Sequence, residues 1–167
     1  MQMTPSRITP CLWFDTGAEE AARFYVSIFD NSAVGTISRY GNEGHGIHGR
    51  EPGSVMTVEF TLDGQNLVGL NGGPHFRFTE AVSFQIRCES QEEVDDYWQK
   101  LAEGGEEGPC GWLKDRFGLS WQVVPTVLFE MLMDPDARKS DRVTKAFLQM
   151  KKFDIEALRQ AYAGKAA

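Results

Sequence analysis

The stretch Ala81-Val-Ser-Phe-Gln-Ile-Arg-Cys-Glu-Ser-Gln-Glu-Glu-Val-Asp-Asp-Tyr-Trp-Gln-Lys-Leu101 decides the fold, because it repeats a pattern already made near the N-terminus. Its first eight residues alternate in polarity, the period of a strand with one buried face. Ser90 with Glu93 then forms an S-x-x-E capping box, which opens a helix by satisfying its free N–H groups. Val94, Tyr97, Trp98 and Leu101 make that helix's apolar stripe. The earlier copy starts with the apolar run Ile8-Thr-Pro-Cys-Leu-Trp-Phe14 and continues with Thr16 and Glu19, a T-x-x-E box. Its helix carries Ala18, Ala21, Ala22, Tyr25, Ile28 and Phe29 on one face and ends at Asp30-Asn31-Ser32. Glu19-Glu20 and Phe24-Tyr25 recur as Glu92-Glu93 and Tyr97-Trp98 at an offset of 73 residues, and the capping boxes recur at 74. A repeat of strand, cap and helix in the same order predicts an internal duplication.

Working outward, strands are expected at 33–40, 55–62 and 65–71, the last two joined by Asp63-Gly64, a pair suited to a two-residue hairpin. After the second helix, Gly104-Gly105 leads to shorter strands around 109–114 and 119–124, linked by Asp115-Arg-Phe-Gly118. The class is therefore α+β, with two β-α-β-β-β modules at about 8–73 and 81–125, the second more compact. Residues 126–167 change character. Val127 to Met133, the stripe Val143, Ala146, Phe147 and Met150, and the stripe Ile155, Leu158, Ala161 and Tyr162 predict helices, broken at Asp134-Pro135-Asp136. This tail has no evident core of its own and is expected to pack on the 1–125 domain or on a dimer partner, with Gly164-Lys-Ala-Ala frayed.

A chain of 167 residues, 41% hydrophobic and 25% charged, buries one sizeable core. A net charge of -7 argues against nucleic acid and anionic membrane as partners. No apolar run approaches the roughly 20 residues that cross a bilayer, and Met1 to Arg7 do not lead into a signal peptide, so a cytoplasmic location is expected. Cys11, Cys88 and Cys110 fit neither a zinc knuckle nor a C-x-x-C pair and read as free thiols, two of them core filler.

The segments Ile8 to Asp15, Glu19-Glu20-Ala-x-x-Phe-Tyr25, Phe60 to Gly64, Leu70 to Pro74, Ser83 to Ile86 and above all Cys110-Gly-Trp-Leu-Lys-Asp-Arg-Phe-Gly-Leu-Ser-Trp-Gln-Val-Val-Pro125 together resemble the PhnB-like branch of the vicinal oxygen chelate superfamily. That superfamily includes glyoxalase I, extradiol dioxygenases and bleomycin- and fosfomycin-resistance proteins. The resemblance implies a glyoxalase/bleomycin resistance/dioxygenase-like fold, in which paired modules form a curved mixed sheet around a small-molecule cavity. Members of this branch often carry the label 3-demethylubiquinone-9 3-methyltransferase. The residues do not support a methyltransferase, since no Gly-rich strand-to-helix turn is followed by an acidic residue after the next strand.

In the superfamily's metalloenzymes the first and last strands of each module supply the ligands. The resemblance carries those positions to Pro10 and Ser83, to Val68, Gly69 and Leu70, and to Gln122. None is His, Asp or Glu, the donors a hard divalent ion selects, so no cofactor is expected and no residue is assigned to metal. His45 and His48 lie in the glycine-rich Gly41 to Gly49 segment, read as a solvated loop or a mobile lid, and His75 as a turn residue. Strand alternation directs Ser83, Gln85 and Gln122 into the cavity as neutral hydrogen-bonding groups, with Asn71 near its wall and Trp112 at its rim. Asp115 is the nearest carboxylate and the candidate acid or base, with turn capping as its default role. The leading reading is a small-molecule-binding protein or metal-independent enzyme, forming a homodimer. A divalent-metal-dependent lyase or dioxygenase, a methyltransferase and a structural interaction module are the alternatives.

Overall fold

The computed structural model describes residues 7–165, and the chain falls into two compact units that divide between Arg77 and Phe78. The expected frayed end lies partly outside these residues, at positions 166 and 167.

The first unit contains β1 (Cys11–Phe14), α1 (Ala18–Ile28), β2 (Ala33–Arg39), α2 (His45–His48), β3 (Val55–Leu62) and β4 (Gln65–Asn71). The sheet order is β1-β4-β3-β2, with β1 parallel to β4 and the other pairs antiparallel. Alternation sends Leu12, Phe14, Val58, Phe60, Leu62 and Leu67 to a buried face, where they meet Ala18, Ala21, Ala22 and Tyr25 of α1. The Tyr25 and Phe60 rings stack with centroids 6.3 Å apart. Gly69 brings sheet and helix close, since a Cβ there would lie 3.1 Å from that of Ala18. The Asp63-Gly64 hairpin turn has φ of 45° and 76°, the positive values a primed turn demands.

Two local expectations are corrected here. Thr16 is not the N-cap of α1: the cap is Gly17 without a side-chain bond, and Asn71 Oδ1 on β4 accepts from Ala18 N at 2.9 Å instead. The Gly41–Gly49 segment is not wholly loop, because His45–His48 forms one helical turn closed at both ends by left-handed glycines, Gly44 and Gly49.

The second unit contains β5 (Ser83–Cys88), α3 (Gln91–Ala102), β6 (Glu106–Glu107), β7 (Trp112–Lys114) and β8 (Ser120–Pro125), followed by α4 (Thr126–Leu132), α5 (Ala137–Phe147) and α6 (Ile155–Ala163). Its order, β5-β8-β7-β6 with β5 parallel to β8, repeats the topology of the first. Ser90 caps α3 as expected, its Oγ accepting from Glu93 N at 3.2 Å. Val94, Trp98 and Leu101 of α3 and Leu113, Trp121 and Val123 of the sheet are buried. Trp98 Nε1 donates to Glu107 Oε1 at 2.8 Å.

The helices after β8 bury a cluster that they share with that strand. Leu128, Met131, Val143, Phe153 and Leu158 cluster with Val124 of β8. The preceding chain stitches to this cluster through Cys110 N to Met150 O at 2.8 Å and Gly111 N to Lys151 O at 2.7 Å. Gly111, at φ 77°, admits no side chain, because a Cβ would sit 2.3 Å from the Phe153 ring. Of the three free thiols only Cys88 is fully buried; Cys110 is half-buried and Cys11 exposed.

Candidate functional site

The side of the second sheet away from its buried apolar face carries the predicted polar residues. In the ladder Ser83 pairs with Ser120 and Gln85 with Gln122, while Trp112 pairs with Gln122 and Lys114 with Ser120. Paired side chains share a face, so these six residues form one patch. Gln122 Nε2 donates to Ser83 Oγ at 2.8 Å, and Gln85 Nε2 approaches Gln122 Oε1 at 3.5 Å, a weak contact on an exposed side chain. Toward α4, the Arg87 guanidinium lies 5.1 Å from the Phe129 ring centroid.

A pocket of about 400 Å³ opens beside the patch, walled by Pro109 and Trp112 and rimmed by Glu80, Glu106 and Lys114. Ser120 also lines it, and the residue is only 1% exposed. Its hydroxyl has no hydrogen-bond partner. Lys114 Nζ forms an ion pair with Glu80, which holds the Lys114 ammonium above and the Glu80 carboxyl below their ordinary ranges. Ser120, Lys114 and Glu80 were not among the sequence candidates. Alternation with Gln122 already placed Ser120 on this face, but nothing local marks a hydroxyl as unpartnered, and Glu80 lies outside any strand.

Two sequence candidates spend their polar groups on internal bonds. Asn71 does not offer its amide to a pocket: Oδ1 takes the Ala18 N–H, and Nδ2 donates to Val55 O at 3.1 Å. Its carbonyl accepts from the Tyr40 hydroxyl at 2.6 Å. Asp115 is 3% exposed, and its carboxylate clamps the turn into β8. Oδ1 accepts from Phe117 N at 2.8 Å and Leu119 N at 3.1 Å, and Oδ2 from Trp121 Nε1 at 2.8 Å. A carboxylate holding three internal donors is a turn clamp, and the acid–base role expected of it has no geometric support. Of the histidines, His48 packs on Tyr40 with centroids 4.6 Å apart, His45 Nε2 lies 3.5 Å from Glu51, and His75 is exposed.

The strand positions to which the resemblance carries metal ligands pair within each unit. Val68 N donates to Pro10 O at 3.0 Å, and Ser83 meets Gln122 directly. The donor chemistry does not fit a divalent ion, since the first pair offers no side-chain donor and the second is a hydroxyl and an amide bonded to each other. Among the described residues no group of three or more His, Cys, Asp or Glu is arranged to hold a metal. A methyltransferase's nucleotide-like cofactor fits no better. The α1 N-terminus is filled by Asn71 and that of α3 by Ser90, while acidic first turns at Glu19-Glu20 and Glu92-Glu93 complete both helices.

Two β-α-β-β-β units, each with its first strand parallel to its last, give the paired-module fold that the resemblance to the vicinal oxygen chelate superfamily implies. The chain belongs to the family described as 3-demethylubiquinone-9 3-methyltransferase, which matches residues 6–124 and so ends before α4. A putative 3-demethylubiquinone-9 3-methyltransferase, PhnB protein, from Bacillus cereus is 36% identical, with a TM-score of 0.63 over 72% of this chain and 100% of its own. The chain is thus PhnB-like. A protein from Pseudomonas aeruginosa aligns over 72% of this chain and 98% of its own at 20% identity and a TM-score of 0.57, which shows a common fold. No protein among the curated sequences matches.

Proposed function

We propose that the chain binds a small organic molecule over the hydroxyl–amide face of the second sheet, by hydrogen bonding and apolar contact and without a divalent ion. The observation that carries this is the 2.8 Å bond between Gln122 and Ser83 at positions where the superfamily's metalloenzymes hold their ligands. Neutral groups there hydrogen-bond polar organic functions but bind hard cations poorly. The family's methyltransferase description finds no support in the helix N-termini described above. The same reading makes the protein a cytoplasmic homodimer, a state supported by resemblance and open to sedimentation analysis. Among the described residues no helix is long and apolar enough to cross a membrane.

The test is a thermal-shift screen of metabolites with and without a chelator, repeated on Gln122→Leu. The expected result is a ligand-dependent rise that survives chelation and shrinks in the variant. Binding or activity that requires stoichiometric added metal would refute the proposal.

A further inference from the structure

Resting on that reading, we propose that the pocket beside Ser120 takes an amine-bearing aromatic ligand, with a hydroxyl or carbonyl at its buried end on Ser120 and its ammonium at the rim. Three features of the pocket converge on this class.

Depth comes first. Native proteins leave few buried polar atoms unsatisfied, and the Ser120 hydroxyl is the one such side-chain atom among the described residues. It sits in the ladder opposite Lys114, a pocket residue, so it projects to the pocket's side of the sheet. The atom is covered in the unliganded protein, so a ligand group that parts the residues around it restores the missing bond. Shape comes next. The half-buried Trp112 and the exposed Pro109 give the pocket an apolar wall, and an indole face takes a flat ring or a cation. At about 400 Å³ the space lies toward the small end of organic-ligand sites, which run roughly 300–1,000 Å³.

Charge supplies the third. Lys114 is the lining's single cation and is already matched by Glu80. Glu106, its partner across the β6–β7 ladder, leaves the rim one carboxylate in excess. An anionic ligand would meet no unmatched cation, whereas an ammonium completes the balance.

The experiment titrates full-length protein by calorimetry with tyramine, 2-phenylethylamine and 4-hydroxyphenylacetate, which share a ring but differ in hydroxyl and charge. Tyramine is expected to bind about tenfold more tightly than either analogue, the worth of one good hydrogen bond or charge contact. Ser120→Ala should remove the advantage over 2-phenylethylamine, and Glu106→Gln should narrow that over 4-hydroxyphenylacetate. Ser120→Ala deletes only an unpartnered atom, so the variant folds and a loss of binding is interpretable. Equal affinity for the three probes, or no binding of any at millimolar concentration, would overturn the proposed class. Tyramine binding that responds to Gln122→Leu but not to Ser120→Ala overturns the pocket assignment while leaving the sheet-face reading intact. Binding indifferent to all three variants overturns both.

Discussion

Replacing Ser120 by alanine is expected to make the unliganded protein more stable, the reverse of the usual effect of a core substitution. The residue is 1% exposed and its Oγ has no partner, so folding strips the hydroxyl of water and returns nothing. An unsatisfied buried donor or acceptor costs about 1–3 kcal/mol. Deleting one oxygen also forfeits a few dispersion contacts at about 0.1–0.2 kcal/mol each, several tenths in all. The net gain is about 1 kcal/mol. For a chain of this length that corresponds to a rise in Tm of about 2–4 °C. Urea denaturation followed by circular dichroism reads the same quantity as a higher midpoint at unchanged slope. A loss of 1 kcal/mol or more in Ser120→Ala would refute the reasoning, since the hydroxyl would then be making a bond in the folded protein and the pocket would have no open hydrogen-bonding position. A stabilised variant that binds worse is the pattern expected of a residue kept for function at the expense of stability.

Asp115→Ala should cost about 3 kcal/mol or more, because it strands the Phe117 and Leu119 amides and the Trp121 indole N–H together. Asp115→Asn should cost less, as one oxygen still accepts, and a melting series on the two variants checks the order. The Cys88 thiol is pushed up to about 12 by burial and by the neighbouring charges of Glu93 and Glu89. Partial burial raises the Cys11 thiol too, but Cys11 is exposed, so iodoacetamide at pH 8 should alkylate it before Cys88 and leave Cys88 untouched until the chain is unfolded, as peptide mapping will show. Asp134 is held below the usual carboxylate range, first by the Tyr162 hydroxyl and then by Asp136 N–H and Lys139. Its folded-state value is depressed, so the stability it contributes is present above the ordinary Asp range near 3.9 and is lost as pH falls through the lower folded value. Tyr162→Phe should lower stability at neutral pH, with the gap to the parent protein closing in acid; a gap independent of pH would argue against the carboxylate's part.

Much of the fold could be read in the sequence because its causes are local. The alternation from Ala81 to Cys88, the Ser90 cap and the Asp63-Gly64 turn are satisfied by groups within a few residues, and all three took the structures their chemistry requires. Thr16 failed as a cap because its competitor, Asn71, lies more than fifty residues away on a strand that only the assembled sheet brings to the helix start. Asp115 shows the same limit. A carboxylate in a turn is ambiguous until the indole of Trp121 closes on it. For the candidate site, alternation identified the face bearing Ser83, Gln85 and Gln122, and Trp112 was placed beside it. Which of its polar groups satisfy one another, and which are left buried without a partner, is set by the pairing of β5, β8 and β7. That is why the sequence determined the repeat, the elements and the hydroxyl and amides of Ser83, Gln85 and Gln122 on one face, while only the tertiary structure brought the charged rim to them and singled out Ser120: hydrogen-bond saturation belongs to groups brought together in space, and no residue carries it alone.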